Sequence, residues 1–148
     1  MNKLEILDSI RSLAANALEA TLLLSQVVSL LRRERPHYHW VGIYLLQGEE
    51  LVLGPYVGKP TTHTRIPLNQ GICGAAASTG QSLIVDDVNS DPRYLACSLE
   101  TRSEIVVPIQ HQGRILGEID IDSDQPAAFT SEDKDLLEAI ATILATRL

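Results

Sequence analysis

YHWVGIYLLQGEELVLGPYV, running from Tyr38 to Val57, is the stretch that decides the fold class. Two runs rich in β-branched and aromatic residues flank a polar turn at Gln47-Gly-Glu-Glu, which is the pattern of a β-hairpin. Side chains alternate across a strand, so Trp40, Gly42 and Tyr44 share one face of the first run while Val41, Ile43 and Leu45 share the other. The aromatic face has two readings. Rings flanking a glycine either wall a hollow suited to a small ligand or pack as ordinary core aromatics.

The same logic extends downstream. Glu104-Ile-Val-Val-Pro-Ile is dense enough in β-branched residues for a strand, and Pro108 predicts an edge or a bulge near its end. After the turn His111-Gln-Gly-Arg, Ile115, Gly117, Ile119 and Ile121 take one face of the next strand, and Leu116, Glu118, Asp120 and Asp122 the other. Three acids projecting together form either a solvated face or a set turned into a pocket. In a pocket, repulsion and desolvation raise at least one pKa and keep that acid protonated near neutrality. Ser82 to Val88 reads as a further strand, and Thr64 to Ile66 as a short one within the proline-bounded loop that starts at Gly58.

Helical spacing marks the two ends of the chain. Leu4, Leu7, Ile10, Leu13 and Ala17 recur every three or four residues, and Asn16 marks a break before a second helix that Pro36 ends. That second helix is apolar on nearly every side from Leu22 to Leu31. Together with the Leu136 to Leu144 stripe it is expected to pack on two surfaces, one of them a twofold mate. Thr130 or Ser131, followed by early acids, starts the final helix. In between, Gly71-Ile-Cys-Gly opens an Ala-rich helix stopped by Gly80. Its free N–H groups are suited to bind a carboxylate and to lower the pKa of Cys73. The order of elements and the tight turns imply an α+β domain spanning residues 1–148, an antiparallel sheet with helices packed on it.

Composition narrows the function classes. The 148 residues carry a net charge of -7, which argues against nucleic acid and anionic lipid as partners. No apolar run approaches the ~20 residues of a membrane span. Two cysteines and no secretory leader imply a cytosolic location, so the expected partners are small molecules or proteins. One of those cysteines, Cys97, follows a short apolar step and precedes the polar run Ser98 to Ser103, on a loop just ahead of the strand that begins at Glu104. It is either a small buried hydrophobe or a thiol set beside a carboxylate.

The chain resembles GAF domains and, among them, the free methionine-(R)-sulfoxide reductases. The matching pieces are W-V-G-I-Y at Trp40, L-V-L-G-P-Y at Leu51, G-I-C-G at Gly71, D-V at Asp87, A-C at Ala96, S-E-I-V-V-P at Ser103 and D-I-D-S at Asp120. Each is weak alone; their order and spacing are specific. The resemblance implies N- and C-terminal helices on one face of the sheet and a ligand pocket on the other. It also implies a cytosolic enzyme that reduces free methionine sulfoxide and is recharged by thioredoxin or another thiol reductant; the apolar helices add the expectation of a homodimer, and no cofactor or metal is expected. Position by position, Cys97 matches the attacking cysteine, while Trp40, Tyr44, Asp87, Glu104, Asp120 and Asp122 match residues lining the substrate pocket. Such a set suits the chemistry. A thiolate attacks the sulfoxide sulfur, a carboxylic acid of raised pKa protonates the oxygen, and aromatic walls and carboxylates hold the two ends of a free amino acid.

The chain departs from that pattern in two places. The family usually carries a further cysteine in the loop after G-P-Y, and Lys59-Pro-Thr-Thr-His-Thr has none; Ser98 stands where an acid commonly follows the attacking cysteine. Three outcomes follow from the missing cysteine. Cys73 resolves the sulfenic acid on Cys97, an external thiol does so, or the fold keeps its pocket as a non-catalytic ligand sensor.

Overall fold

Strands β1 (Trp40–Gln47) and β2 (Glu50–Val57) pair antiparallel around the turn at Gly48, as their alternation requires. The structure, a computed structural model, describes residues 1–96 and 98–148. On the other side of β1 lies β6 (Arg114–Ser123), followed by β5 (Ser103–His111) and the short β4 (Leu83–Val85); β3 (Arg65–Pro67) flanks β2. The sheet order is β3-β2-β1-β6-β5-β4, antiparallel throughout. Pro108 is tolerated in β5 because β4 accompanies that strand only from Glu104 to Val106, and the register with β6 slips one residue later, between Ile109 and Gln110.

Helices α1 (Lys3–Ala15), α2 (Ala20–Glu34) and α4 (Ser131–Ala145) cover one face of this sheet. Their apolar stripes meet Val41, Ile43, Ile105, Val107, Ile119 and Ile121, which are the inward alternates of β1, β5 and β6. The break expected at Asn16 is real: it caps the C-terminus of α1, and α2 resumes at Ala20. Asp133 accepts the Thr130 N–H at 2.8 Å to cap α4, and the Tyr38 hydroxyl donates to the same carboxylate at 2.5 Å, tying the start of β1 to that helix.

Two expectations are corrected by the packing. Leu23, Leu24, Val27, Val28, Leu30 and Leu31 of α2, with Leu136, Leu137, Ile140 and Leu144 of α4, are buried within this one chain. The sheet and the neighbouring helices absorb the leucines that the sequence assigns to a twofold mate. The strand expected over Ser82 to Val88 is only three residues long, because the Val88 N–H bonds to the Arg102 carbonyl and the chain turns into a 3-10 turn at Val88–Ser90.

Candidate functional site

Register across β1, β6 and β5 brings the chemistry together on the sheet face opposite those three helices. Trp40, Asp122 and Glu104 stand in one row, Gly42, Asp120 and Val106 in the next, and Tyr44, Glu118 and Pro108 in a third. The face is closed by α3 (Gly71–Thr79), whose Ile72, Cys73, Ala76 and Ala77 pack with Trp40, Tyr44 and Val106 in a second apolar cluster. The acids expected on one strand face are therefore turned inward. Glu104, Glu118, Asp120 and Asp122 are each 5% exposed or less.

Burial pushes all four carboxyl groups above their ordinary range. Desolvation is the main cause throughout; for Glu104 the nearby charges of Asp120 and Asp122 add to it, and for Asp122 that of Asp120. Hydrogen bonding between Glu104 and each of Asp120 and Asp122 offsets part of the rise in the two aspartates. Carboxyl groups so placed share protons. Cys73 is raised too, first by burial and then by Asp120, Glu118 and Glu104. This reverses the expectation that the glycine-rich start of α3 lowers its pKa, because desolvation and three carboxylates outweigh the partial charge of a helix end. Cys73, Glu104 and Asp120 bring a sulfur and two carboxylate oxygens within 4.8 Å of one another, a spacing as suited to shared protons as to a metal ion.

The aromatic face also differs from its simplest reading. A Cβ on Gly42 would lie 2.3 Å from the Trp40 ring, so the indole covers the glycine instead of leaving a hollow over it. Space opens to either side. One cavity of about 60 Å³ is lined by Trp40 and Asp122 with Lys59, Thr61, Ser98 and Glu100. A second, of about 30 Å³, is lined by Tyr44, Cys73, Glu104 and Asp120 with His63 and Tyr94. Each has room for ordered water only.

Two segments cover these cavities, residues 58–64 and the loop that leads into β5. The Trp40 indole N–H donates to the Lys59 carbonyl at 2.9 Å and the Tyr44 hydroxyl to the His63 carbonyl at 2.7 Å, so both aromatic walls hold the first segment. Lys59 pairs with Glu100, and His63 Nε2 lies 3.1 Å from the Ala96 carbonyl, so the first segment holds the second.

Of the residues singled out from sequence, Trp40 and Asp122 line one cavity, and Tyr44, Cys73, Glu104 and Asp120 the other. Asp87 stands apart. It is exposed, and its carboxylate accepts the Asn89 N–H at 3.1 Å and the Ser90 hydroxyl at 2.9 Å to cap the 3-10 turn. Cys97 lies outside the described residues. The resemblance left Glu118 out of the site although alternation put it on the same strand face as Asp120 and Asp122, and the sequence reading passed over His63, Tyr94 and the Lys59–Glu100 pair, whose loops have no periodicity to betray their direction.

The GAF domain family model matches residues 5–148. The chain is 36% identical over 127 residues to the free methionine-R-sulfoxide reductase of Escherichia coli (strain K12), covering 83% of this chain and 76% of that protein. It is 44% identical over 110 residues to the free methionine-R-sulfoxide reductase of Saccharomyces cerevisiae, covering 72% of this chain and 61% of the yeast protein. Among solved structures, the free methionine-R-sulfoxide reductase of Neisseria meningitidis in complex with its substrate aligns with a TM-score of 0.93 at 37% identity, over 98% of this chain and 87% of that one.

Proposed function

Because the chain belongs to the GAF-domain family of free methionine-R-sulfoxide reductases, we propose that it reduces free methionine-R-sulfoxide to methionine with Cys97 as the attacking thiol. The observation that carries this reading is the set of four buried carboxyl groups beside two aromatic walls. Both oxygens of Glu118 and Oδ1 of Asp120 are buried with no amide or hydroxyl donor on them among the described residues, which suits the ammonium group of a free amino acid. Trp40 and Tyr44 offer faces for the methyl-thioether end. Since the cavities are too small for an amino acid, substrate enters when the two covering segments move apart.

The chemistry balances as follows. The Cys97 thiolate attacks the sulfoxide sulfur to form an S–S bond while the oxygen takes a proton from the Glu104, Asp120 and Asp122 set; the hydroxyl then passes from the substrate sulfur to the Cys97 sulfur as that S–S bond breaks, so methionine leaves and Cys97 becomes a sulfenic acid. A second thiol attacks the sulfenic sulfur, forms a disulfide and releases water, and an external dithiol such as thioredoxin returns both thiols. The test is direct: the protein is incubated with dithiothreitol and the free R epimer, and methionine is followed by chromatography. Methionine formation is expected; binding of the sulfoxide without it would instead mark a ligand-sensing module.

Cys73 is the second thiol available in the chain. It is held as a thiol by burial, and Asp120, within hydrogen-bonding reach and left as a carboxylate once the acid set has given its proton to the sulfoxide oxygen, takes the thiol proton and makes Cys73 a nucleophile. Cys73→Ser is expected to slow thioredoxin-dependent turnover far more than dithiothreitol-dependent turnover, since a small reductant reaches the sulfenic acid directly. Equal rates in both assays, with Cys73 still free by mass spectrometry after oxidation by substrate, would assign resolution to an external thiol.

The homodimer remains part of this reading, with a different basis. Leu4 is 69% exposed on α1 and Leu22 46% exposed on α2, and these, not the buried leucines, are available to a mate. Light scattering at micromolar concentration is expected to give twice the chain mass, and Leu4→Glu with Leu22→Glu to give the monomer. A monomeric wild-type protein would remove the dimer from this account.

A further inference from the structure

We infer that His63 is a positioning residue for this reaction, holding the loop that carries Cys97 closed over the second cavity; the inference rests on the function proposed above. His63 sits in the segment that has no cysteine, and it belongs to the site on three sides. Its carbonyl accepts the Tyr44 hydroxyl at 2.7 Å, its N–H donates to Thr61 Oγ1 at 3.1 Å, and it lines the same cavity as Cys73, Glu104 and Asp120. Those bonds fix its backbone against the aromatic wall. Its ring then reaches across to the Ala96 carbonyl, with Nε2 at 3.1 Å.

A carbonyl only accepts, so Nε2 carries the proton in this contact. Ala96 immediately precedes Cys97 in the chain. Among the described residues the covering loops are also joined by the Lys59–Glu100 pair, whose side chains are 66% and 58% exposed, and a pair so open to water contributes little. His63, a half-buried residue, supplies a further link between the two segments through its contact with Ala96. Its loss lets the second segment drift from the acids that must protonate the sulfoxide oxygen, and small displacements of reacting groups are costly in rate.

His63→Ala is expected to lower kcat on the order of 10-fold to 100-fold with little change in KM, in the dithiothreitol assay as in the thioredoxin assay. Glutamine places an amide N–H near the position of Nε2, so His63→Gln should recover most of the rate with the wild-type pH profile. A full-speed His63→Ala variant would overturn the inference. A glutamine variant as slow as the alanine one, or one with a displaced pH profile, would overturn it too, by making His63 a proton carrier. Amide hydrogen exchange of residues 94–101 separates this claim from the proposed reaction: exchange should be faster in His63→Ala and near wild type in His63→Gln, whether or not any sulfoxide is reduced. Unchanged exchange in His63→Ala would sink the clamp. Circular dichroism confirms that both variants are folded before either comparison is made.

Discussion

Replacing Cys97 with serine is expected to abolish reduction of free methionine sulfoxide, by on the order of 10³-fold or more, while leaving the fold and its melting temperature unchanged. A hydroxyl is a far weaker nucleophile than a thiolate and cannot carry the oxygen away as a sulfenic acid, so no partial route remains. The buried acids and aromatic walls are untouched by the substitution, and binding of the sulfoxide should persist. Isothermal titration of Cys97→Ser with free methionine-R-sulfoxide tests that half of the expectation. Full turnover in this variant would refute the reaction as proposed, because burial first, and Asp120, Glu118 and Glu104 after it, push the Cys73 thiol up and keep it from replacing Cys97 as the attacking group.

Glu104→Gln is expected to lower activity by about 10²-fold to 10⁴-fold and, above pH 5, to make the protein more stable than the wild type. The activity loss is that of a general acid. Glu104 shares protons with both Asp120 and Asp122, so its removal leaves the oxygen of the sulfoxide without its best-connected donor. The stability gain follows from linkage. Burial raises the folded pKa of Glu104 above its unfolded value, near 4.3 for an ordinary glutamate. The group's contribution is therefore fully present below that unfolded value and is lost as the pH rises through the folded pKa. Glutamine carries no charge to desolvate, and its amide donates to the two aspartates. Melting temperatures should coincide near pH 4 and separate in favour of Glu104→Gln as the pH is raised. The opposite sign, a variant less stable at pH 7 than the wild type, would mean that Glu104 is ionised and held by a partner cation.

This trade of stability for chemistry also explains why β6 departs from an ordinary strand. Asp120 and Asp122 sit at inward positions where Val41, Ile43, Ile119 and Ile121, on the other face, show what a purely structural sheet would carry. Retaining four carboxyl groups under α3 destabilises the fold at neutral pH, and the same desolvation keeps a proton available for a leaving oxygen.

Much of this arrangement was legible in the residues. Alternation alone put Trp40, Gly42 and Tyr44 on one face of β1 and Glu118, Asp120 and Asp122 on one face of β6, since a period of two leaves no freedom once a strand is recognised. Asn16, Gly80 and the Thr130 cap marked their helix boundaries through local hydrogen bonding and backbone geometry that need no distant partner. Which way those faces look is a different kind of fact. Whether three acids in a row are wet or buried depends on α3 and on residues 58–64, which reach the sheet from elsewhere in the chain. Their arrival turns a pattern compatible with a solvated surface into a row of shared protons. It likewise reverses the pKa direction of Cys73, lays the Trp40 indole over Gly42, and brings His63 to the Ala96 carbonyl across 33 residues. Desolvation and contact between loops are properties of the assembled face, and a strand's periodicity carries information only about which side chains share it.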